Sequence, residues 1–309
     1  MASDFGALLL RGIDRQIGFT ERLAAAVRDK RPPSYTDHSL RDLCAQRIDQ
    51  IASGYADGHD AKSLRHDPML QRSVERRPLD PTQDLASAPT FSRLEHRVTR
   101  PDLSRLTPAF VDQCIASYPD PPAAIVLDRD HAEDPTPGQQ ALTFSNQHSQ
   151  SQCSLPLCIF AGISHALVTA CLRPGKRPPG AENALILVRL LAYLRRHWPF
   201  TPILVRGERH CGTPEVMEVM AHRRRTDVVF GLAGHPVLLR QAAPVMQEAR
   251  ALFQQRTALA QAYGEPPPPR RRVSEDFSSA AASWERPWRV IVKAEVRAAG
   301  DNPRFVVPS

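Results

Sequence analysis

The chain has 309 residues and carries 40 lysines and arginines against 33 aspartates and glutamates, a formal net charge of +7. That length suits one large domain or two smaller ones, and the charge is compatible with a polyanionic partner. No stretch reaches the ~18 apolar residues of a membrane span. Residues 7–10 stop at Arg11, too short for a secretion signal, and the apolar stretch 184–194 carries Arg189. Proline, at 29 residues, is well above the usual ~5%, so elements should be short and bounded by loops. Cys44, Cys114, Cys153, Cys158, Cys171 and Cys211 are scattered. Cys153 and Cys158 have no second Cys/His pair at zinc spacing, which argues against a metal knuckle. Scattered thiols without a signal point to a reducing, cytoplasmic setting and to no membrane association.

Taken in order, the first third reads as helical. Apolar residues recur at helical spacing over 21–28, before Pro32-Pro33. Ser39 is a candidate N-cap for a helix through Leu43, Ile48 and Ile51 that closes near Gly54. Asp57 or Asp60 can cap a short helix containing Leu64. Residues 84–95 are expected to break at Pro89, with Thr90 capping the next turn. A further helix over 107–117 leads to Pro119-Asp-Pro-Pro122, where the composition shifts and a domain boundary is expected.

The middle third has another character. Residues 124–128 form a short apolar strand that ends in two carboxylates, Asp128 and Asp130, on either side of Arg129. A polar loop, 133–138, follows. Residues 155–160 and 165–172 read as an antiparallel pair. Residues 181–198 carry Leu187, Leu190, Leu191, Leu194 and Trp198 along one helical stripe. Strand 203–205 then runs through Arg206-Gly207 into Glu208. A helix over 214–222 has Thr213 as cap and Pro214 at its first position, and 227–232 is a strand. The order β-β-β-α-β-α-β matches a ribonuclease-H-like core, whose first and fourth strands lie side by side. Asp128, Asp130 and Glu208 would then meet. Such strand-end acids can hold hard divalent cations for two-metal phosphoryl transfer, or can simply be helix caps and loop ligands.

Beyond Gly234, residues 241–263 read as a helix and 266–272 as a proline- and arginine-rich hinge. Residues 289–297 alternate like a half-buried strand, and 300–303 turn the chain into a last strand over 304–307. The organisation expected is thus a helical region over 1–118 for DNA binding or assembly, a core over 119–235, and a helix plus β-rich insertion over 236–309.

Several motifs together resemble the DDE-type transposases of bacterial insertion sequences, in the group with a ribonuclease-H-like catalytic domain and a β-rich insertion. They are Gly54-Tyr-Ala-Asp-Gly-His-Asp-Ala-Lys-Ser-Leu-Arg-His-Asp-Pro68, Asp84-Leu-Ala-Ser-Ala-Pro-Thr-Phe-Ser-Arg93, Leu127-Asp-Arg-Asp130, Asp134-Pro-Thr-Pro-Gly-Gln-Gln140, Leu155-Pro-Leu157, Leu172-Arg-Pro-Gly175 and Asn302-Pro-Arg-Phe-Val-Val307. The resemblance implies binding to insertion-sequence ends, compatible with a homodimer. It also implies two Mg²⁺ held by two Asp and one Glu for strand cleavage and transfer. Asp130 is the favoured metal ligand and catalytic acid, with Asp128 close behind and Glu208 standing where the family has Asp. His131 and Ala132 follow Asp130 where the family has a small residue and Thr, and Arg209 and His210 follow Glu208 where it has Ser and Gly. The family's third acid lies on a helix after the insertion. The sequence stops at Ser309 before such a helix, so the expected product is a truncated, inactive transposase, the alternative being a non-catalytic DNA-binding remnant or regulator of an intact transposase.

Other residues have plainer readings. His210-Cys211 could be a substituted metal site or a thiol nucleophile, but no organised base is visible. His59-Asp60 and His66-Asp67 read as surface caps, with metal ligation as the alternative, Arg223 to Arg225 as a helix end, with phosphate contact as the alternative, Trp284 and Trp288 as strand aromatics that could alternatively stack on bases, and Gln139-Gln140 as scaffold.

Overall fold

The computed structural model describes residues 5–136, 144–146, 151–176, 179–281 and 284–309, and the chain divides into two compact units, 1–119 and 120–309. Gln139 and Gln140 lie outside the described residues.

The first unit is helical: α1 (Gly6–Ile17), α2 (Phe19–Ala26), α3 (Leu40–Ala52), α4 (Ala61–Leu64), α5 (Pro68–Ser73), α6 (Ala88–Arg97) and α7 (Arg100–Ala116). Helix α1 is not expected from the sequence, where its apolar run is short and stops at Arg11; Gly18, at φ 66°, separates it from α2. Ser39 caps α3 by accepting from the Asp42 N–H at 3.0 Å. Asp57 caps a 3₁₀ turn just before α4. Pro89 does not break its helix. It sits in the first turn of α6, where a missing N–H costs nothing, and Ser87 takes the cap position. Ala7, Ala45, Leu64, Leu70, Val74 and Leu85 form one buried cluster, and Leu43, Ala61, Ala86 and Phe91 another. Gln46, buried between them, clamps Ala86 through both its backbone groups at 3.0 and 2.9 Å.

Helix α7 starts seven residues before its expected position because Thr99 and Asp102 form a capping box. Asp102 also accepts from the Arg28 N–H at 3.2 Å and pairs with Arg105. The Thr99 hydroxyl and amide, then the Arg28 amide, hold its pKa down to about 2. A depressed carboxylate contributes stability above its unfolded pKa of ~3.9 and loses it as pH falls toward the folded value. Asp102→Asn is therefore expected to melt lower than the unmodified chain at pH 7, with the gap closing from about pH 4 down to about pH 2. Melting curves across that range check this.

The second unit is built on β1 (Ile125–His131), followed by β2 (Asp134–Pro135), β3 (Phe144–Asn146), β4 (Ser151–Ser154), β5 (Leu157–Ala161) and β6 (Leu167–Cys171). Then come α8 (Gly180–His197), β7 (Ile203–Gly207), α9 (Pro214–Ala221), β8 (Thr226–Leu232), α10 (Pro236–Gln241) and α11 (Ala243–Ala262). The chain closes with β9 (Arg270–Ser279), β10 (Trp288–Arg297), β11 (Gly300–Asp301) and β12 (Arg304–Pro308). The main sheet has the order β11-β10-β12-β8-β7-β1-β5-β6, with β9 along β10; β2, β4 and β3 form a small separate sheet. Strand β1 pairs parallel with β7 and antiparallel with β5, and β7 pairs parallel with β8. This is the ribonuclease-H-like arrangement, with the first and fourth core strands adjacent. Its core is made by alternate residues: Leu127, Val205, Val228 and Phe230 are all buried.

Two features differ from expectation. The residues read as a hinge, Arg270 to Arg272, open strand β9, which pairs with β10 along its full length from Arg270↔Arg297 to Trp288↔Ser279. Its outward residues are polar and hide the strand from a hydrophobicity pattern. Strands β10 and β12, read as part of an insertion, prolong the core sheet, because β12 pairs antiparallel with β8 at Phe305↔Leu232.

Candidate active site

Alternation along β1 sorts its side chains onto two faces. Ile125, Leu127 and Arg129 are buried, whereas Asp128 and Asp130 point to the other, more open side. In the parallel pairing with β7, Asp128 lies opposite Arg206 and Arg129 opposite Gly207. The pairing ends there, and Glu208 follows directly at the exit of β7. Asp128, Asp130, Arg206, Gly207, Glu208 and Gly231 line one open depression of ≈ 390 Å³.

The turn that delivers Glu208 is tight. The Glu208 carbonyl accepts from the Cys211 N–H at 2.8 Å, and the Cys211 carbonyl from Thr213 at 2.9 Å. Gly207 is required there, since a Cβ would stand 2.5 Å from Cys211 Sγ.

The carboxylates are in unequal states. Arg206 donates to Asp128 through a fork, Nε to Oδ1 and Nη2 to Oδ2, both at 2.6 Å. This partner raises the Arg206 pKa further. Gly162 leaves room for the pair, because a Cβ there would lie 2.6 Å from Asp128 Oδ2 and 3.0 Å from Arg206 Nη2. Asp130 is exposed and accepts from the following amide, His131 N–H, at 2.7 Å. Among the described residues, Asp130 and Glu208 are thus the acids lining the depression without an ion pair.

Beneath β1 the chemistry is cationic, which the sequence reading did not anticipate. Arg129 is 2% exposed and donates to Asn183 Oδ1 at 2.5 Å, while its Nε and Nη1 are buried with no nitrogen or oxygen partner among the described residues. The neighbouring Cys211 thiol favours the charged guanidinium, yet sulfur is a weak acceptor and burial dominates, pulling the Arg129 pKa down. Arg173 is also buried and is paired with Glu182 at 2.6 Å. Burial, then Arg129, Arg173 and His210, hold the His131 pKa down to about 4. A basic residue between two strand-end acids was the available signal, since alternation must turn it inward.

The residues do not fit a two-metal centre. Such a centre needs a carboxylate bridging both ions and an outer acid for each, and one of the three acids here is engaged by Arg206. Glu295 is no substitute. It is 3% exposed, bound by Arg272 at 2.5 Å and Asn302 at 3.0 Å, and these partners hold its pKa down to about 2. Glu285 stands with Glu218 and His222. Among the described residues these three are the set of possible metal ligands whose atoms lie within 4.8 Å of one another. Cys211, 1% exposed with a thiol pKa raised by burial, is no nucleophile. His59 is held by Asp57 at 3.0 Å and His66 by Asp84 at 2.8 Å. Arg225 stacks on Phe200, and Trp288 is core. Among the described residues, no helix is long and apolar enough to cross a membrane.

A family model described as "Transposase DDE domain group 1" matches residues 1–309. No curated protein matches the chain. Among solved structures, the piggyBac transposase synaptic complex with hairpin DNA is similar at 12% identity and TM-score 0.45, over 100% of this chain and 61% of that one. The Mos1 transposase paired-end complex with left transposon end is similar at 13% identity and TM-score 0.26, over 65% of this chain and 60% of that one. The chain thus spans about three fifths of the length of each.

Proposed function

The chain belongs to the group 1 transposase DDE-domain family, and from that premise we propose that it is a transposase-type DNA-binding protein whose strand-cleavage centre is defective. The observation that carries this reading is the bidentate Arg206–Asp128 pair. It leaves Asp130 and Glu208 as a two-carboxylate remnant able to hold at most one divalent cation such as Mg²⁺. Hard cations prefer six well-placed oxygens at ~2.0–2.1 Å and tolerate displaced ligands poorly. The buried Arg129 charge behind β1 further disfavours a cation in the depression. Asp130 and Glu208 can orient one ion and its waters. They cannot stabilise both the attacking and leaving oxygens of an in-line displacement.

A protein of this kind occupies insertion-sequence ends without cutting them and can block an intact transposase. The test is a nicking and strand-transfer assay on DNA carrying the element ends, with Mg²⁺ and with Mn²⁺. No product is expected. Mg²⁺-dependent cleavage that Asp130→Ala abolishes would overturn the defective reading.

A further inference from the structure

One arginine in each of the clusters Arg195-Arg196, Arg223 to Arg225 and Arg270 to Arg272 is engaged by the fold. Arg195 binds the Arg225 carbonyl at 2.7 Å and also Thr201, Arg225 caps the Phe200 carbonyl at 3.3 Å, and Arg272 is taken by Glu295. Cations that are close together in space but scattered in sequence lie instead in the helical unit. Two adjoining cavities of ≈ 320 and ≈ 430 Å³ share Arg31, Pro32, Leu94 and Arg97, and so form one trough. Arg28, Lys30, Arg31, Arg65, Arg93 and Arg97 line it. Arg31 is paired with Asp29 at 2.7 Å and Arg65 approaches Asp84 at 3.4 Å. Among the described residues, Arg28, Lys30, Arg93 and Arg97 meet no carboxylate at ion-pair distance. Asp29 and Asp37 also line the trough, and Asp29 feels Arg97 at longer range, but six cations outnumber them, and an excess of like charge is an arrangement that an anion relieves.

We propose that this trough seats the phosphodiester backbone of DNA without regard to base sequence, a proposal that rests on the DNA-binding reading above. Arg93 and Arg97 are i and i+4 on α6, so they stand about 5–6 Å apart on one face and can take successive phosphates. Leu40, Leu94 and Val98 give the trough an apolar floor, where a guanidinium is less hydrated and a phosphate contact stronger. The hydroxyls of Ser87 and Thr90 bond each other at 3.1 Å in the same cavity, which leaves one of the two free to donate to a phosphate oxygen. Tyr35, 87% exposed at its edge, offers a flat face on which a base or sugar can stack.

The experiment is fluorescence anisotropy of the full chain with a labelled duplex, titrated from ~50 to ~200 mM salt. Each phosphate contact contributes about 0.9 to the slope of log K against log salt. The Arg93→Ala/Arg97→Ala variant should therefore lose about two units of slope and bind at least tenfold more weakly at the low-salt end. Arg93→Lys/Arg97→Lys should keep most of the slope, and melting curves of both variants confirm folding. Arg270→Ala/Arg271→Ala, exposed on β9, is the control and should bind as the unmodified chain does. An unchanged slope in the alanine variant, or its loss in the β9 control instead, overturns the trough while leaving DNA binding intact. No binding by the unmodified chain overturns both. Tighter binding to RNA of the same sequence also rejects the assignment.

Discussion

Replacing Arg129 with methionine is expected to raise the unfolding free energy by about 1–4 kcal/mol, the range seen when buried ionic groups give way to apolar ones of similar volume. Arg129 is among the largest fully buried side chains, yet only one of its nitrogens has a firm hydrogen bond. Its neighbours make matters worse, because Arg173 and His131 occupy the same region and, among the described residues, no carboxylate pairs with it. A guanidinium cannot shed its proton to escape, so the desolvation cost is carried in full. Methionine keeps the length of the side chain and packs beside Leu127 and Cys211 without asking for donors or acceptors. What it forfeits is one hydrogen bond, leaving Asn183 Oδ1 unsatisfied, a cost of about 1–3 kcal/mol that sets the lower end of the gain. Urea unfolding of the two proteins decides the matter. A methionine variant less stable than the unmodified chain would show that the cluster is satisfied by something other than its own side chains. His131 reports independently: with Arg129 gone, its pKa should rise from about 4 toward the ordinary histidine value.

Much of the fold was legible because local rules and burial agree. The α8 stripe of Leu187, Leu191 and Leu194 is buried as its periodicity demands, and β10 buries Val290, Val292 and Ala294 in strict alternation. The adjacency of β1 and β7 followed from element order alone, and Asp130 and Glu208 both line the depression beside it. What the sequence hid were properties of pairing rather than of pattern. Strand β9, Arg270–Ser279, is polar on its open side and exists because β10 supplies a ladder for it. Thr99–Asp102 extended α7 through a capping box that lay outside the apolar repeat. At the site, the acids that share the depression stand out in the sequence, but their condition does not. That Arg206 reaches Asp128 depends on a parallel register and on the space left by Gly162, neither of which spacing along the chain reveals. The cations of the trough, from Arg28 to Arg97, likewise meet only when α2, α3 and α6 pack.

Arg206→Ala is expected to raise the affinity of the depression for Mn²⁺ about tenfold, equivalent to ~1.4 kcal/mol. In the unmodified chain a cation must either share Asp128 with a guanidinium 2.6 Å away or do without it. Two unit charges at ~4 Å interact by about 4 kcal/mol at an effective dielectric of ~20. Both partners are more than a third exposed, and exposed ion pairs are worth only ~0–1 kcal/mol in stability, so most of that figure is screened. The surviving gain comes from two sources acting together: a repelling charge leaves, and a third carboxylate becomes free beside Asp130 and Glu208. Titration should be done in a His222→Ala background, because Glu218, His222 and Glu285 offer a second place for the ion. Adding Asp130→Ala should then remove the new affinity, whereas Asp128→Ala alone should bind Mn²⁺ no better than the unmodified chain. An Arg206→Ala protein that binds Mn²⁺ as weakly as its parent would mean the carboxylates are too far apart to share an ion. The defect would then lie in the backbone course of β1 and β7 and not in the competing guanidinium.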